Sequence, residues 1–167
     1  MQKLIKNIEQ WAEDRNLIKG STPQKQFLKL MEEFGELCSG VSRNKPEVIK
    51  DSIGDCFVVM TIMNKQTVTN FDFKSLELNL NRFPDKLNVT MTKATARLAS
   101  ICEKLNRPKG ARFHLEYDFG YLLFCLMQFA KIHELDFLDC IQYAWDEIKD
   151  RKGKMIDGVF VKEEDLP

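Results

Sequence analysis

The chain has no surplus of either charge: 25 Lys and Arg stand against 25 Asp and Glu over 167 residues. A balanced chain lacks the overall field that draws in nucleic acid or an anionic membrane, so neither is expected as a partner without a local patch. Long hydrophobic runs are also missing. The best stretch, Tyr121 to Ala130, is amphipathic and about half of the ~18 residues that cross a bilayer. The opening MQKLIKNIEQ puts polar and acidic residues where a secretory signal has its apolar centre. The expectation is a cytoplasmic protein. No C-x-x-C pair occurs among Cys38, Cys56, Cys102, Cys125 and Cys140, which read as small buried hydrophobes of a reducing compartment before disulfide or zinc partners. The two histidines, His114 and His133, have no Glu three residues before them, which argues against a Glu-x-x-His di-iron bundle. No Ser–His or Cys–His arrangement suggests a covalent nucleophile.

What is present is ordinary in bulk and unusual in one place. Hydrophobic residues make up 44% and charged residues 30%, enough for one domain over 1–167 with a sizeable core. Between Leu28 and Met60 two acidic signatures fall on two consecutive predicted helices. KLMEEFGEL carries Glu32, Glu33 and Glu36, and IKDSIGDCFVV carries Asp51 and Asp55. A Gly-, Ser-, Asn- and Pro-containing stretch from Ser39 to Pro46 predicts that the helices fold back as a hairpin.

At about 100° per residue, Glu33 and Glu36 share one strip, and Asp51 and Asp55 share another. Each strip borders an apolar arc: Phe27, Leu30, Phe34, Leu37 and Val41 on the first helix, Ile49, Ile53, Cys56, Met60 and Met63 on the second. Packing the arcs together brings four carboxylates to the edge of the contact. Any one of them alone reads as a solvated surface acid. Four partly desolvated negative charges repel by several kcal/mol, on the order of what only a cation among them relieves. Oxygen ligands suit Mg²⁺, with Mn²⁺ as the alternative.

Glu33-Phe34-Gly35-Glu36 followed by an acid pair ending in Asp55 resembles the MazG-type all-α NTP pyrophosphatases, whose signature is E-x-x-E and then E-x-x-D, and in particular their bacteriophage members. The second half departs from the pattern, with Ser52 three before Asp55 and the acid one residue earlier at Asp51. The resemblance implies an all-α fold, a helical bundle built on the acidic hairpin, and hydrolysis of a nucleoside triphosphate to monophosphate and pyrophosphate in nucleotide-pool control. It implies Glu33, Glu36, Asp51 and Asp55 as metal ligands and Glu32 as the general base. Lys149 and Arg151 become phosphate contacts and Asp146 reaches the metals. Lys29, four residues before Glu33, reads equally as an i, i+4 ion pair with it or as a phosphate contact, and Gln26 is a candidate to read the base edge. The resemblance also implies a homodimer or homotetramer. A non-catalytic module that binds nucleotide or protein on the same scaffold is the alternative, favoured by Ser52.

Around the hairpin, residues 3–15 predict an amphipathic helix through Leu4, Ile5, Ile8, Trp11 and Ala12. Trp11 reads first as a core anchor and second as a base platform. Thr22-Pro23 starts the first acidic helix and Pro46 the second. Gly54 inside that second helix costs up to ~1 kcal/mol relative to alanine, which close approach of another helix or a ligand would justify. From Thr67 to Asn88 the helical rhythm breaks, with a cap signal at Ser75 and a stop at Pro84. Leu87 to Leu105 and Phe113 to His133 read as helices joined by the basic turn NRPKGAR, and 67–113 as an inserted helical pair. EYDFGYLLFCLMQFA echoes DSIGDCFVVMTIM without the acidic pair. Asp136 caps a last helix, and a basic R-K-G-K run leads into a short C-terminal extension.

Overall fold

The computed structural model describes residues 1–67, 69, 71, 86–107 and 114–166. Seven helices occur among these residues: α1 (Gln2–Asp14), α2 (Leu17–Gly20), α3 (Pro23–Ser42), α4 (Pro46–Thr67), α5 (Leu87–Leu105), α6 (Glu116–Ile132) and α7 (Phe137–Ile148). A small antiparallel hairpin, β1 (Gly153–Ile156) and β2 (Val159–Lys162), follows. The fold is all-α. No helix among the described residues is long and apolar enough to cross a membrane. The signals at Ser75 and Pro84 lie outside the described residues.

The acidic hairpin forms as its pattern requires. Thr22 caps α3 by accepting a hydrogen bond from the backbone N–H of Lys25 at 3.2 Å, with Pro23 at the first helical position. The turn is tighter than its composition suggests: α3 continues to Ser42, and Arg43 to Lys45 alone make the reversal, with Asn44 in the left-handed region at φ 50°. Asn tolerates that conformation better than most residues. Gly40 lets the end of α3 close on the start of α4, since a Cβ there would come within 3.1 Å of the backbone nitrogen of Ile49.

α4 is the central element, packed between α3 and α7 and also touched by α1, α2 and α6. Ile49, Ile53, Cys56, Phe57, Met60 and Met63 are wholly buried on it, as expected of a helix that is apolar nearly all round. Burying a side chain such as Phe57 contributes about 2–3 kcal/mol over leaving it in water. Gly54 marks the α4–α7 crossing: a Cβ there would run into the carbonyl oxygen of Cys140 and lie 2.6 Å from the Cβ of Ala144. The glycine therefore serves close approach of a helix.

Within the span 67–113 the described residues hold one long helix, α5. It runs antiparallel to α6, and the pair packs on the acidic hairpin through α3 and α4. Gln24 Nε2 donates to the carbonyl of Leu105 at 2.8 Å, Cys38 meets Met91, and Phe34 packs edge-on against Phe129 at 6.4 Å. At the other end Asp136 caps α7 through the N–H of Asp139, and Phe137 packs edge-on against Phe57.

The C-terminal extension carries the β-hairpin, followed by a short 3-10 turn at Glu163–Asp165. Ile156 pairs with Val159, so Asp157-Gly158 forms a two-residue turn with both residues at positive φ, 49° and 75°. That is the conformation a tight hairpin needs and an Asp-Gly pair readily adopts. Phe160 turns back to meet Trp11 edge-on at 5.9 Å. The Nζ of Lys25 donates to the carbonyl of Asp157, fastening the tip of the hairpin to the start of α3.

Candidate active site

A cavity of about 170 Å³ opens between α1, α3, α4, the end of α7 and the β-hairpin. One part of its wall is apolar, built from Trp11, Leu17, Val58, Val59, Ile62 and Phe160. The other part carries Lys29, Glu33, Asp55 and Arg151, with Lys25 and Gln26 alongside.

Glu33 is the buried acid of α3, 4% exposed, because it lies beside the face that carries Leu30, Phe34 and Leu37 into the core. Burial raises its pKa, and the neighbouring Glu36 and Glu32 add to the rise. Lys29 opposes this from one turn earlier, with Nζ 2.7 Å from Glu33 and 3.0 Å from Glu32. Burial works to lower the pKa of Lys29, but its bonds to the two carboxylates outweigh that and raise it.

Asp55 faces Glu33 across the α3–α4 contact. Burial, then the charges of Glu33 and Asp51, push its pKa up to about 7, against the pull of Arg151 and Lys29. Asp51, one turn earlier, is raised by burial and then by Glu33 and Glu147, with Arg151 again opposing. These carboxylates repel one another, and the two nearby cations leave part of that repulsion in place. One turn before Asp55, the hydroxyl of Ser52 is buried with no hydrogen-bond partner.

The residues proposed from sequence divide accordingly. Gln26, Lys29, Glu33, Asp55 and Arg151 line one cavity, and Asp51 senses its charges. Gln26 is buried with Nε2 3.1 Å from the Ser21 hydroxyl. Glu32 and Glu36 are exposed at the rim of α3. Asp146 and Lys149 do not join the cluster. They are exposed and pair with each other at 2.6 Å, and Gln142 also bonds Asp146.

The side of α7 that does face Asp51 carries Tyr143 and Glu147, which the sequence reading missed. The charges of Asp51 and Glu147 raise the pKa of Tyr143. Cys140, Ala144 and Ile148 turn inward, and at 100° per residue that puts Asp146 on the outer side and Glu147 on the flank toward α4. The spacing Tyr143, Glu147, Arg151 could have pointed to the flank. Lys25, Phe160 and Lys162 were missed too, since nothing local shows that the tail folds back over α1 and α3.

In donor type and charge, this set fits a hard divalent cation: all-oxygen carboxylates in negative excess, beside an orphaned hydroxyl. In the arrangement seen, no three acidic, His or Cys side chains among the described residues converge on one point as metal ligands would. Glu33 is held by Lys29 instead.

A stretch of 66 residues is 82% identical to part of a protein described as an uncharacterized 18.2 kDa protein in rep-hol intergenic region of Haemophilus phage HP1 (strain HP1c1). The match covers 40% of this chain and 40% of that protein, so it spans less than half of the phage relative's length. No family model matches the chain, and no solved structure matches it.

Proposed function

We propose that this chain is a divalent-metal-dependent nucleoside triphosphate pyrophosphohydrolase of the MazG type, acting in nucleotide-pool control in a bacterial or phage-infected cytoplasm. The observation that carries the reading is a single cavity joining an apolar, aromatic-edged wall to under-neutralised carboxylates flanked by Lys29 and Arg151. A flat base suits the first part. A polyphosphate suits the second only with a cation between it and the acids, because anion against bare carboxylate is repulsive.

Glu33, Asp51 and Asp55 would hold Mg²⁺ or Mn²⁺, with Glu36 at the rim. When bound, the metal supplies charge neutralisation on the phosphates and lowers the pKa of a bound water. Lys29, released from Glu33, turns its ammonium to the phosphate chain, and Arg151 offers its guanidinium from the opposite wall. Glu32, exposed beside Lys29, takes the proton of the attacking water. That water adds to phosphorus as the anhydride bond to pyrophosphate breaks. Trp11 and Phe160 border the base, and Gln26 presents an amide to its edge. Self-association into a homodimer or homotetramer belongs to the proposal, through the outer face of α3 where Leu28 and Met31 are exposed.

A second reading, a nucleotide-binding module without turnover, draws on Ser52 and on the lack of converging ligands. Pyrophosphate release from a panel of NTPs and dNTPs with Mg²⁺ separates the two. The pyrophosphohydrolase turns over at least one of them and loses about a hundredfold or more in Glu33→Gln. Nucleotide binding without any release by a folded protein establishes the module.

A further inference from the structure

At the junction of α1 with the end of α7, one side chain touches both halves of the candidate site without lining it. Arg15 follows α1 directly, and its guanidinium lies 4.8 Å from the centre of the Trp11 ring, the aromatic edge of the apolar wall. The same guanidinium donates twice to the main-chain carbonyl of Arg151, from Nε at 2.8 Å and from Nη2 at 2.7 Å, and reaches the carbonyl of Lys149 at 3.4 Å. Burial lowers its pKa, while Asp14 and Asp150 support its charge.

Those carbonyls lie where the chain leaves α7. Lys149 is the C-cap of α7, so its carbonyl has no partner within the helix and a cation beside it is favoured by the helix dipole. The Arg151 carbonyl lies past the helix end and takes its two hydrogen bonds from the Arg15 side chain. Capping the two carbonyls sets the direction in which the backbone departs. Two side chains of the departing segment then diverge. Lys149 turns to Asp146 at the surface, whereas Arg151 enters the cavity beside Glu33 and Asp55. The β-hairpin that follows returns Phe160 to meet Trp11 edge-on.

We propose that Arg15 is a positioning residue that couples the base wall to the phosphate grip: it fixes the backbone of Arg151 so that the Arg151 guanidinium faces the triphosphate. This rests on the pyrophosphohydrolase reading of the cavity. It assigns a role to a residue that contacts neither substrate nor metal. The planar fork is what the role requires, since three donors in one plane reach two carbonyls while one face stacks on the indole. A lysine keeps the charge and loses both the fork and the stacking.

The test compares binding of an α,β-methylene nucleoside triphosphate, whose carbon bridge replaces the anhydride oxygen to be cleaved, and of the corresponding monophosphate, by calorimetry with Mg²⁺, for wild type, Arg15→Lys, Arg151→Gln and the double variant. Arg15→Lys is expected to weaken triphosphate binding about tenfold, as loss of one charge-assisted phosphate contact does, and to leave monophosphate binding within about twofold. Arg151→Gln should match it, and the double variant should be no weaker than either single one. A merely structural Arg15 would lower the melting temperature while weakening both ligands alike, or add to Arg151→Gln, and either result overturns the proposal. Wild-type binding that Arg15→Lys leaves unchanged overturns the clamp alone. A wild type that binds neither ligand, with or without Mg²⁺, overturns the clamp together with the reading beneath it. Should Arg15→Lys fail to fold, Arg15→Gln, which retains a planar donor group, takes its place under the same criteria.

Discussion

Two helix pairs of this protein each bury an acid, and they treat it in opposite ways. In α5–α6, Asp118 is fully buried, with its carboxylate 2.5 Å from Lys104 Nζ and 3.3 Å from Arg97 Nη1. The Arg97 guanidinium in turn lies over Tyr117 and Tyr121. In α3–α4, Asp55, Asp51 and Glu33 share two cations from Lys29 and Arg151, and all three pKa values are raised. One acid with two cations is a structural joint. Three acids with two cations keep part of their mutual repulsion.

Sequence similarity between the two segments makes the contrast more pointed. Each has a glycine at the start of its apolar run, Gly54 in α4 and Gly120 in α6. Two residues before the glycine, α4 has Ser52 with its hydroxyl unpaired, and α6 has Asp118 with its carboxylate satisfied. One residue after, α4 has Asp55 and α6 has Tyr121. The same local pattern therefore supports opposite uses, depending on which residues the neighbouring helix supplies.

The largest expected effect breaks the joint. Asp118→Ala leaves two partly buried cations without their carboxylate and should cost about 3 kcal/mol in urea unfolding. A loss under about 1 kcal/mol would remove the distinction between the pairs. Next is the site acid. Asp55 has a folded pKa of about 7 against an ordinary 3.8, so between those values the folded state holds a proton that the unfolded chain has released. Stability from this group is thus absent above pH 7 and gained as the pH falls. Wild type should be nearly 3 kcal/mol more stable at pH 5 than at pH 8, as roughly 1.4 kcal/mol per pH unit over the two units below the folded pKa implies. Asp55→Asn should flatten that dependence, be more stable than wild type at pH 8, and release no pyrophosphate. An unchanged pH profile in the variant would mean that the acids of α3–α4 are as well compensated as Asp118. The smallest effect concerns the exposed pair at the end of α7: Lys149→Ala should leave kcat/KM within about twofold, as surface ion pairs do little. A larger loss would place Lys149 at the substrate.

Much of this was readable from spacing. The acidic strips sit on the helices that carry them because Leu30, Phe34 and Leu37, and Ile53, Cys56 and Met60, repeat at helical period and must be buried. The Lys29–Glu33 pair follows from four-residue spacing alone. Asp157-Gly158 between two short apolar runs is a hairpin signal, overlooked in a chain otherwise read as helical. Asp146 came from the resemblance, which expects an Asn or Asp one turn before the basic end of α7 and leaves its neighbour Glu147 aside. Only the inward turn of Ala144 and Ile148, set by packing on Gly54, distinguishes them.

By itself the sequence determined the helices, the hairpin turn after α3 and the strips of acid beside the core, since each follows from contacts a few residues apart. What decided how these acids are compensated lies far along the chain. Arg151 reaches Asp51 and Asp55 from about a hundred residues away, Arg15 holds Arg151 across 136 positions, and the β-hairpin closes on Trp11 from the opposite end. No local periodicity encodes such meetings. They arise when α4 is buried on several sides at once, because covering its apolar surface brings the ends of α1, α3 and α7 to the same place.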